Sequence, residues 1–497
     1  MFKMRLNAKL SAFLDRPDSI LGRRLRYQFL AALTVDIITF SHGVGIGWLS
    51  PTLTKLLSAD SPVDFTVLIA EASWIGSLIG LGSMMGNVFF GFCLDRLGRK
   101  ICIYMLAVPH LCLWILIYYA QSVEFLYVGR FLGGMTGGGS YVVLPIFISE
   151  IADTGIRGTL SAMMMLSVNF GTLFGYILAT YLDYYVIPIM MVMLPLIYLG
   201  ATIVFPDSPQ HLLRKGKLIA AEKSFKYYKN CDSTTSYNEL QRCNQEFAEL
   251  QAIILKGDLA SRITCSDFVS KPALKAICTA FVLMFVNQFS GSFAFINYMS
   301  NIFATSGSLL DPNTSTIAVG AVQICGAYAA TFFVDRCGRK LLMLLSTGGL
   351  CLSIGGFGVF THLSTMQDLS AFTWVPLVLM MTIVFLANIG IIALTFVLLV
   401  EIFPAKFFHF SLLDTFRGRF YIYGYTQWLR FQYIKNISHL HERFWNFNYH
   451  VVLFTRVLVS FYLSLDISTG NKRKIHGCGL NIFKGRLFVN VMHFLQF

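Results

Sequence analysis

Ten apolar stretches long enough to cross a bilayer constrain this chain more than any other feature. They cover residues 27–48, 72–93, 101–120, 125–147, 158–180 and 186–206, then 273–303, 316–334, 341–362 and 374–403. Inside lipid a backbone satisfies its own hydrogen bonds only as a helix or as a closed barrel. Runs of about 20 apolar residues fit the helix, so the expected class is an all-α membrane protein. The composition agrees: charged residues make up 13% of the chain, against roughly 25% in a soluble domain.

The net charge of +13 does not point to nucleic acid. The basic residues gather in 1–26, 94–100, 207–272 and 335–340, and the intervening loops are short and nearly free of Lys and Arg. All four basic segments share one side of the membrane if the N-terminus is cytoplasmic, as the positive-inside bias requires. The expected layout is a cytoplasmic tail at 1–26, a transmembrane lobe at 27–206, a cytoplasmic linker at 207–272 and a second lobe at 273–406. The plasma membrane is the expected location. Residues 1–26 read as a basic tail and not as a cleavable signal. Asn313, in the sequon Asn313-Thr314-Ser315, falls outside in this topology. The eleven cysteines are scattered without CxxC or ligand spacing, so they read as small apolar fillers. Neither a nucleophile–base pair nor a metal-ligand set nor a cofactor motif is apparent, and an enzyme is not expected.

An internal repeat refines this picture. GFCLDRLGRK (91–100) recurs as FFVDRCGRK (332–340), each closing the second span of its half, and an acidic motif follows in each half: SEIADTGIRG (149–158) and VEIFPAK (400–406). Two copies of one charge device imply two duplicated bundles, six-helix-type lobes with inverted repeats, and a substrate site between them near the midplane. The glycines of GRFLGGMTGGGS (129–140) lie within a span, where small residues let helices approach closely.

An ordered set of motifs over residues 27–406 resembles the sugar porter branch of the major facilitator superfamily: DRLGRK (95–100), GRFLGG (129–134), LPIFISEIADTGIRG (144–158), PDSPQHLL (206–213), NQFSG (287–291), DRCGRK (335–340) and EIFPAK (401–406). PDSPQHLL and NQFSGSFAFINY are nearest to forms in insect facilitative trehalose- and glucose-transporter-like proteins. The resemblance implies a major facilitator fold that moves a neutral sugar by alternating access. It also implies a gating network of Asp95, Arg96, Arg99, Lys100, Arg130, Glu150 and Arg157, repeated as Asp335, Arg336, Arg339 and Glu401. Such pairs are expected to reach water and so to be worth about 1 kcal/mol each.

A sugar offers hydroxyls to be hydrogen-bonded and a CH face to be stacked, so its site needs neutral amides and aromatics. Gln288 and Asn287 match the family's sugar-binding glutamine pair, and Gln323 matches a sugar-binding asparagine. Asn169, Asn297 and Asn388 are further intramembrane amides, open equally to sugar contact and to helix–helix bonding. Phe396 occupies a family tryptophan position. Met165 and Phe293 replace family amides, which is compatible with a larger disaccharide pocket. The tenth span lacks the family's prolines and is expected to bend less easily. Proton coupling needs a carboxylate in the path; the symporters' aspartate position holds Gly43, and Asp36 lies two turns earlier. Facilitated diffusion is therefore the expected mode, with proton symport through Asp36 and a transport-deficient regulatory variant as alternatives.

After Lys406 the motifs stop. Residues 407–497 contain neither Ala nor Pro, six of the ten histidines, and eleven Lys or Arg against three acids. Only 447–465 is apolar enough to insert, and it carries Arg456. The second lobe is thus expected to be incomplete, and the tail to derive from a shifted reading frame, a retained intron or a mis-joined gene model.

Overall fold

The computed structural model describes residues 25–231, 237–260, 271–306, 308 and 310–402, and among them the regular structure is helical throughout. The first half contains α1 (Arg26–Leu56), α2 (Ile69–Arg96), α3 (Arg99–Tyr118), α4 (Val123–Ile151), α5 (Arg157–Tyr181) and α6 (Val186–Ile203). A polar linker follows with α7 (Pro209–Arg214), α8 (Leu218–Tyr228) and α9 (Tyr237–Ala260). The second half holds α10 (Lys271–Phe289), α11 (Ser292–Ser306), α12 (Pro312–Cys337), α13 (Arg339–Met366), α14 (Val375–Ile389) and α15 (Ile391–Ile402). Ten of these helices or helix pairs are long and apolar enough to span a membrane, α10–α11 and α14–α15 each counting as one span. The tail from 407 lies outside the described residues.

The spans alternate in direction, so their ends define two faces. The basic face carries the α2–α3 and α4–α5 turns and the linker; the far face carries the α1–α2, α3–α4 and α5–α6 connections. In the first lobe α1 packs on α5, and α2 on α4. These contacts are close because glycines face carbonyls: a Cβ on Gly138 would collide with the Ser83 carbonyl, and one on Gly47 with that of Thr172. The glycine-rich run of α4 is thus a packing face. Apolar cores fill each lobe, one centred on Leu106, Phe147 and Tyr198 and another on Trp48 and Trp114 in the first. A further core around Phe295, Ile354 and Met380 fills the second.

The duplicated motif folds the same way twice. Gly98 (φ 100°) and Gly338 (φ 78°) each make the left-handed turn into the next helix, a conformation that favours glycine. In both copies an arginine lies over the phenylalanine one turn before it: Arg96 over Phe92 at 4.0 Å and Arg336 over Phe332 at 3.9 Å.

Two spans are broken. The seventh stops at Phe289 and restarts at Ser292 across Gly291 (φ 81°), with Ser290 Oγ donating to the Asn287 carbonyl at 2.7 Å. The tenth, expected to bend less for want of proline, is instead interrupted at Gly390 (φ −126°, ψ −79°). The device is a serine. Ser346 Oγ on α13 donates to the Leu386 carbonyl at 2.6 Å and accepts from the Ile391 N–H at 3.0 Å. A Cβ at Gly390 would collide with Ser346 itself, so glycine here permits the approach that replaces the lost helical bonds.

Candidate functional site

The amides singled out from the sequence lie beside these breaks and on the helices that join the lobes. Asn287 and Gln288 close α10 at its break and are buried, and the side-chain oxygen of each lacks a hydrogen-bond partner. Asn297 on α11 donates to the Phe293 carbonyl at 2.7 Å, and its own oxygen is buried without a partner. On α12, Gln323 Nε2 donates to Asn169 Oδ1 of α5 at 2.9 Å, which links the two lobes, while Gln323 Oε1 remains buried and unpartnered. Asn388 is buried against α12, one turn from Gln323 near Gly326, and donates to the Val384 carbonyl of its own helix at 2.9 Å. Buried polar atoms are nearly always paired. Four unpaired amide oxygens along one lobe junction are therefore acceptors awaiting donors. On the same helix as Asn287 and Gln288, Phe285 and Phe289 stack at 4.3 Å, an aromatic surface that no sequence motif marks. The side chain of Phe396 lies outside those described.

The lobes meet through neutral hydrogen bonds. Thr54 Oγ1 on α1 donates to Asn301 Oδ1 on α11 at 2.8 Å and to Ser300 Oγ at 3.2 Å, and the Ser300 N–H donates to Ser50 Oγ at 3.0 Å. Tyr176 of α5, fully buried, donates to the Ile296 carbonyl at 3.1 Å and packs on Gly320 of α12. Among the described residues these cross-lobe bonds lie at mid-depth or toward the far face, and they tie the lobes together there. Sequence inspection missed them because Ser, Thr and Tyr at helix ends have no distinguishing pattern until the lobes are apposed.

The basic face holds an ionic clasp of a different kind. Arg99 Nη2 donates to Glu150 Oε1 at 2.6 Å and Arg99 Nε to Glu150 Oε2 at 2.9 Å, with the two side chains 1% and 0% exposed. The expectation of water-reaching pairs is corrected here, because α7 covers the pair. Ser208, which caps α7, donates to Glu150 Oε2, and Arg99 Nη1 donates to His211 Nδ1 at 2.7 Å. Since Nδ1 accepts that bond, His211 is neutral. Burial, and next the Arg99 guanidinium, push its imidazole down to about 4. Lys229 of α8 pairs with Asp153 in the α4–α5 turn and, at 3.2 Å, with Glu246 of α9.

The clasp therefore joins α3, α4 and the linker within one lobe. Two residues expected in it stand apart. Arg130 shares α4 with Glu150 but lies twenty positions earlier, about 30 Å along the axis. It is buried, donating to the Gly45 and Ile75 carbonyls at 2.6 and 3.1 Å. Arg157 faces the Ala152 carbonyl at 3.5 Å and not Glu150. The side chains of Asp95, Asp335 and Glu401 lie outside those described, so the second copy is seen only through Arg336 and a half-buried Arg339.

Two further positions bear on mechanism. A Cβ on Gly43 would collide with the Val168 carbonyl, so the α1–α5 contact excludes a carboxylate there. Asp36 is buried in α1, and neither of its carboxyl oxygens has a partner. Asn313 lies in the first turn of α12, its side-chain oxygen accepting from Ser300 Oγ at 2.7 Å.

Comparison with known proteins gives a consistent result. A family model described as sugar (and other) transporter matches residues 49–461. The facilitated trehalose transporter Tret1 of Apis mellifera ligustica is 30% identical over 383 residues, 77% of this chain and 75% of its own length. Tret1 of Drosophila mojavensis is 30% identical over 382 residues, covering 76% of this chain and 43% of that longer protein. Among solved structures, the partially occluded inward open conformation of the xylose transporter XylE from E. coli aligns with TM-score 0.70 at 18% identity, over 89% of this chain and 98% of that one. The proton:xylose symporter XylE bound to 6-bromo-6-deoxy-D-glucose aligns with TM-score 0.68 at 20% identity, over 90% and 96%.

Proposed function

Because the chain belongs to the sugar transporter family and has the major facilitator fold, we propose that it carries a neutral sugar across the membrane by facilitated diffusion, with trehalose and glucose the first substrates to test. The carrying observation is the set of buried, unpartnered amide oxygens of Asn287, Gln288, Asn297 and Gln323 at the lobe junction. A sugar hydroxyl donates to each without introducing charge, and an apolar or anionic cargo, which brings no donor, leaves them costly. Aromatic rings at Phe285 and Phe289 add a stacking surface for a pyranose CH face. The basic face is the cytoplasmic one, by the positive-inside bias, and the protein works in the plasma membrane. Sugar enters when the hydrogen-bonded seam between α1 and α11 opens, and leaves after it closes. The ionic network on the basic face, with Asp335 and Glu401 in its second copy, keeps the inner end of each lobe whole during that exchange.

A second reading rests on Asp36. A buried carboxyl with no partner is the group a proton-coupled carrier would use. Gly43, which excludes an acid from the symporters' position, favours the uncoupled mode. Uptake of labelled trehalose and glucose into vesicles, with and without a proton uncoupler, decides between them. Saturable uptake indifferent to the uncoupler supports facilitated diffusion, uncoupler sensitivity supports the Asp36 route, and no uptake of either sugar by correctly inserted protein removes the proposal.

A further inference from the structure

The turn between α7 and α8 is the least protein-like surface of the linker. Leu218 and Ile219 are 49% and 88% exposed, and Arg214, Lys215, Lys217 and Lys223 around them are exposed as well. No side chain of these six forms a hydrogen bond or ion pair in the clasp; Lys215 and Arg214 act on it only by adding to the depression of the His211 imidazole. Glu222, the nearest acid, is taken by Lys226 at 2.5 Å. Among the described residues none of the four cations forms an ion pair, so the patch presents two bare aliphatic side chains inside an unneutralised basic ring.

Its position follows from what anchors the linker. Asp207 Oδ1 accepts from the Lys100 N–H at 3.4 Å, Ser224 Oγ donates to the Asp207 carbonyl at 2.6 Å, and Tyr228 donates to the Pro206 carbonyl at 2.6 Å. These bonds hold both arms of the turn against the basic-face ends of α3 and α6. Of the six spans in its lobe, α6 is the least buried, and its last residue Ile203 and the following Val204 are 65% and 68% exposed. The chain thus leaves the lipid-facing helix of the lobe, makes the six-residue α7, and turns at Gly216 (φ 71°) to show the Leu218–Ile219 pair.

We propose that this turn docks on an anionic lipid surface, with Arg214, Lys215, Lys217 and Lys223 on the headgroups and Ile219 inserted at the acyl boundary. Charge complementarity selects the occupant: basic residues attract the negative leaflet on the cytoplasmic side, and an apolar tip ringed by Lys and Arg is the pattern of an interfacial anchor. The proposal rests on the orientation given above, with the basic face cytoplasmic. Because Asp207, Ser208 and His211 lie in the same short segment as the patch, lipid contact steadies the arm that covers the Arg99–Glu150 clasp.

The test uses the unaltered full chain in vesicles of phosphatidylcholine alone, or of phosphatidylcholine with phosphatidylserine. Lysine acylation by a small water-soluble reagent is read by mass spectrometry. Lys215, Lys217 and Lys223 should lose reactivity in the anionic vesicles while Lys226, held by Glu222, does not change. Equal reactivity in both lipids overturns the proposal. A second measurement places a polarity-sensitive fluorophore on an Ile219→Cys variant. Blue-shifted emission, quenched by lipids brominated along the acyl chain, is expected. Emission as in water, unaffected by those lipids, contradicts insertion. Neither readout needs sugar movement, so a failure here is distinguishable from a failure of the transport reading.

Discussion

The two polar regions that frame the lobe junction are built from opposite materials. On the basic face a buried arginine and glutamate, sealed by Ser208 and His211, tie α3, α4 and α7 into one rigid unit. At mid-depth and toward the far side, hydroxyls and amides of Ser50, Thr54, Tyr176 and Asn169 reach across to the second lobe. A buried ion pair is expensive to break, because the partner left behind is an unpaired charge. A neutral hydrogen bond nets only about 0.5–1.5 kcal/mol. Strength is thus placed where a lobe must stay whole, and weakness where two lobes must part and meet again.

Removing the Glu150 charge is the harshest way to break that contrast. Glu150→Gln strands Arg99 in the lobe and should cost about 3–5 kcal/mol of stability, read as a lowered thermal midpoint in detergent. A midpoint within error of the parent would show that the pair does not carry the lobe. Next comes the junction: Gln288→Leu or Gln323→Leu should raise the KM for sugar about tenfold, since a lost hydrogen bond of about 1.4 kcal/mol is one decade. Folding should be left intact, and an unchanged KM would remove those amides from the site.

Smaller still is Tyr176→Phe, which deletes one seam bond of about 1 kcal/mol. It should shift the balance toward the far-side-open form by about fivefold. Thiol labelling of a cysteine placed at Ser50, with a reagent that does not cross the membrane, reports that shift. The mildest probe is pH. The His211 imidazole titrates near 4 in the clasp and at about 6.5 when unfolded. The unfolded chain therefore binds the proton first, and stability is flat above pH 6.5 and declines as pH falls toward 4. His211→Asn should flatten that part of the stability profile; an identical slope would exclude the residue.

These regions also differ in how far the sequence reveals them. DRLGRK and its repeat announce themselves, and the pairing of Arg99 with Glu150 follows from two motifs at one membrane depth. Arg130 was drawn into the same cluster by motif association alone, although twenty residues along one helix already place it elsewhere. Ser208 and His211 stand in the motif PDSPQHLL, but their role over the Arg99–Glu150 pair is not legible there because it depends on how α7 folds back. The break at Gly390 was hidden for a similar reason: its device is Ser346 on another helix, and no local proline signals it. Gln323 and Asn169 are each legible as polar groups in lipid, but they lie 154 positions apart in sequence and their contact exists only once the two lobes are joined.

If sugar crosses by the proposed route, the neutral seam between the lobes has to open. Cysteines at Thr54 and Asn301, whose side chains lie 2.8 Å apart across that seam, can be joined by oxidation in vesicles showing trehalose or glucose uptake. Uptake should stop on oxidation and return on reduction. Uptake at the same rate through the cross-linked protein would contradict that route.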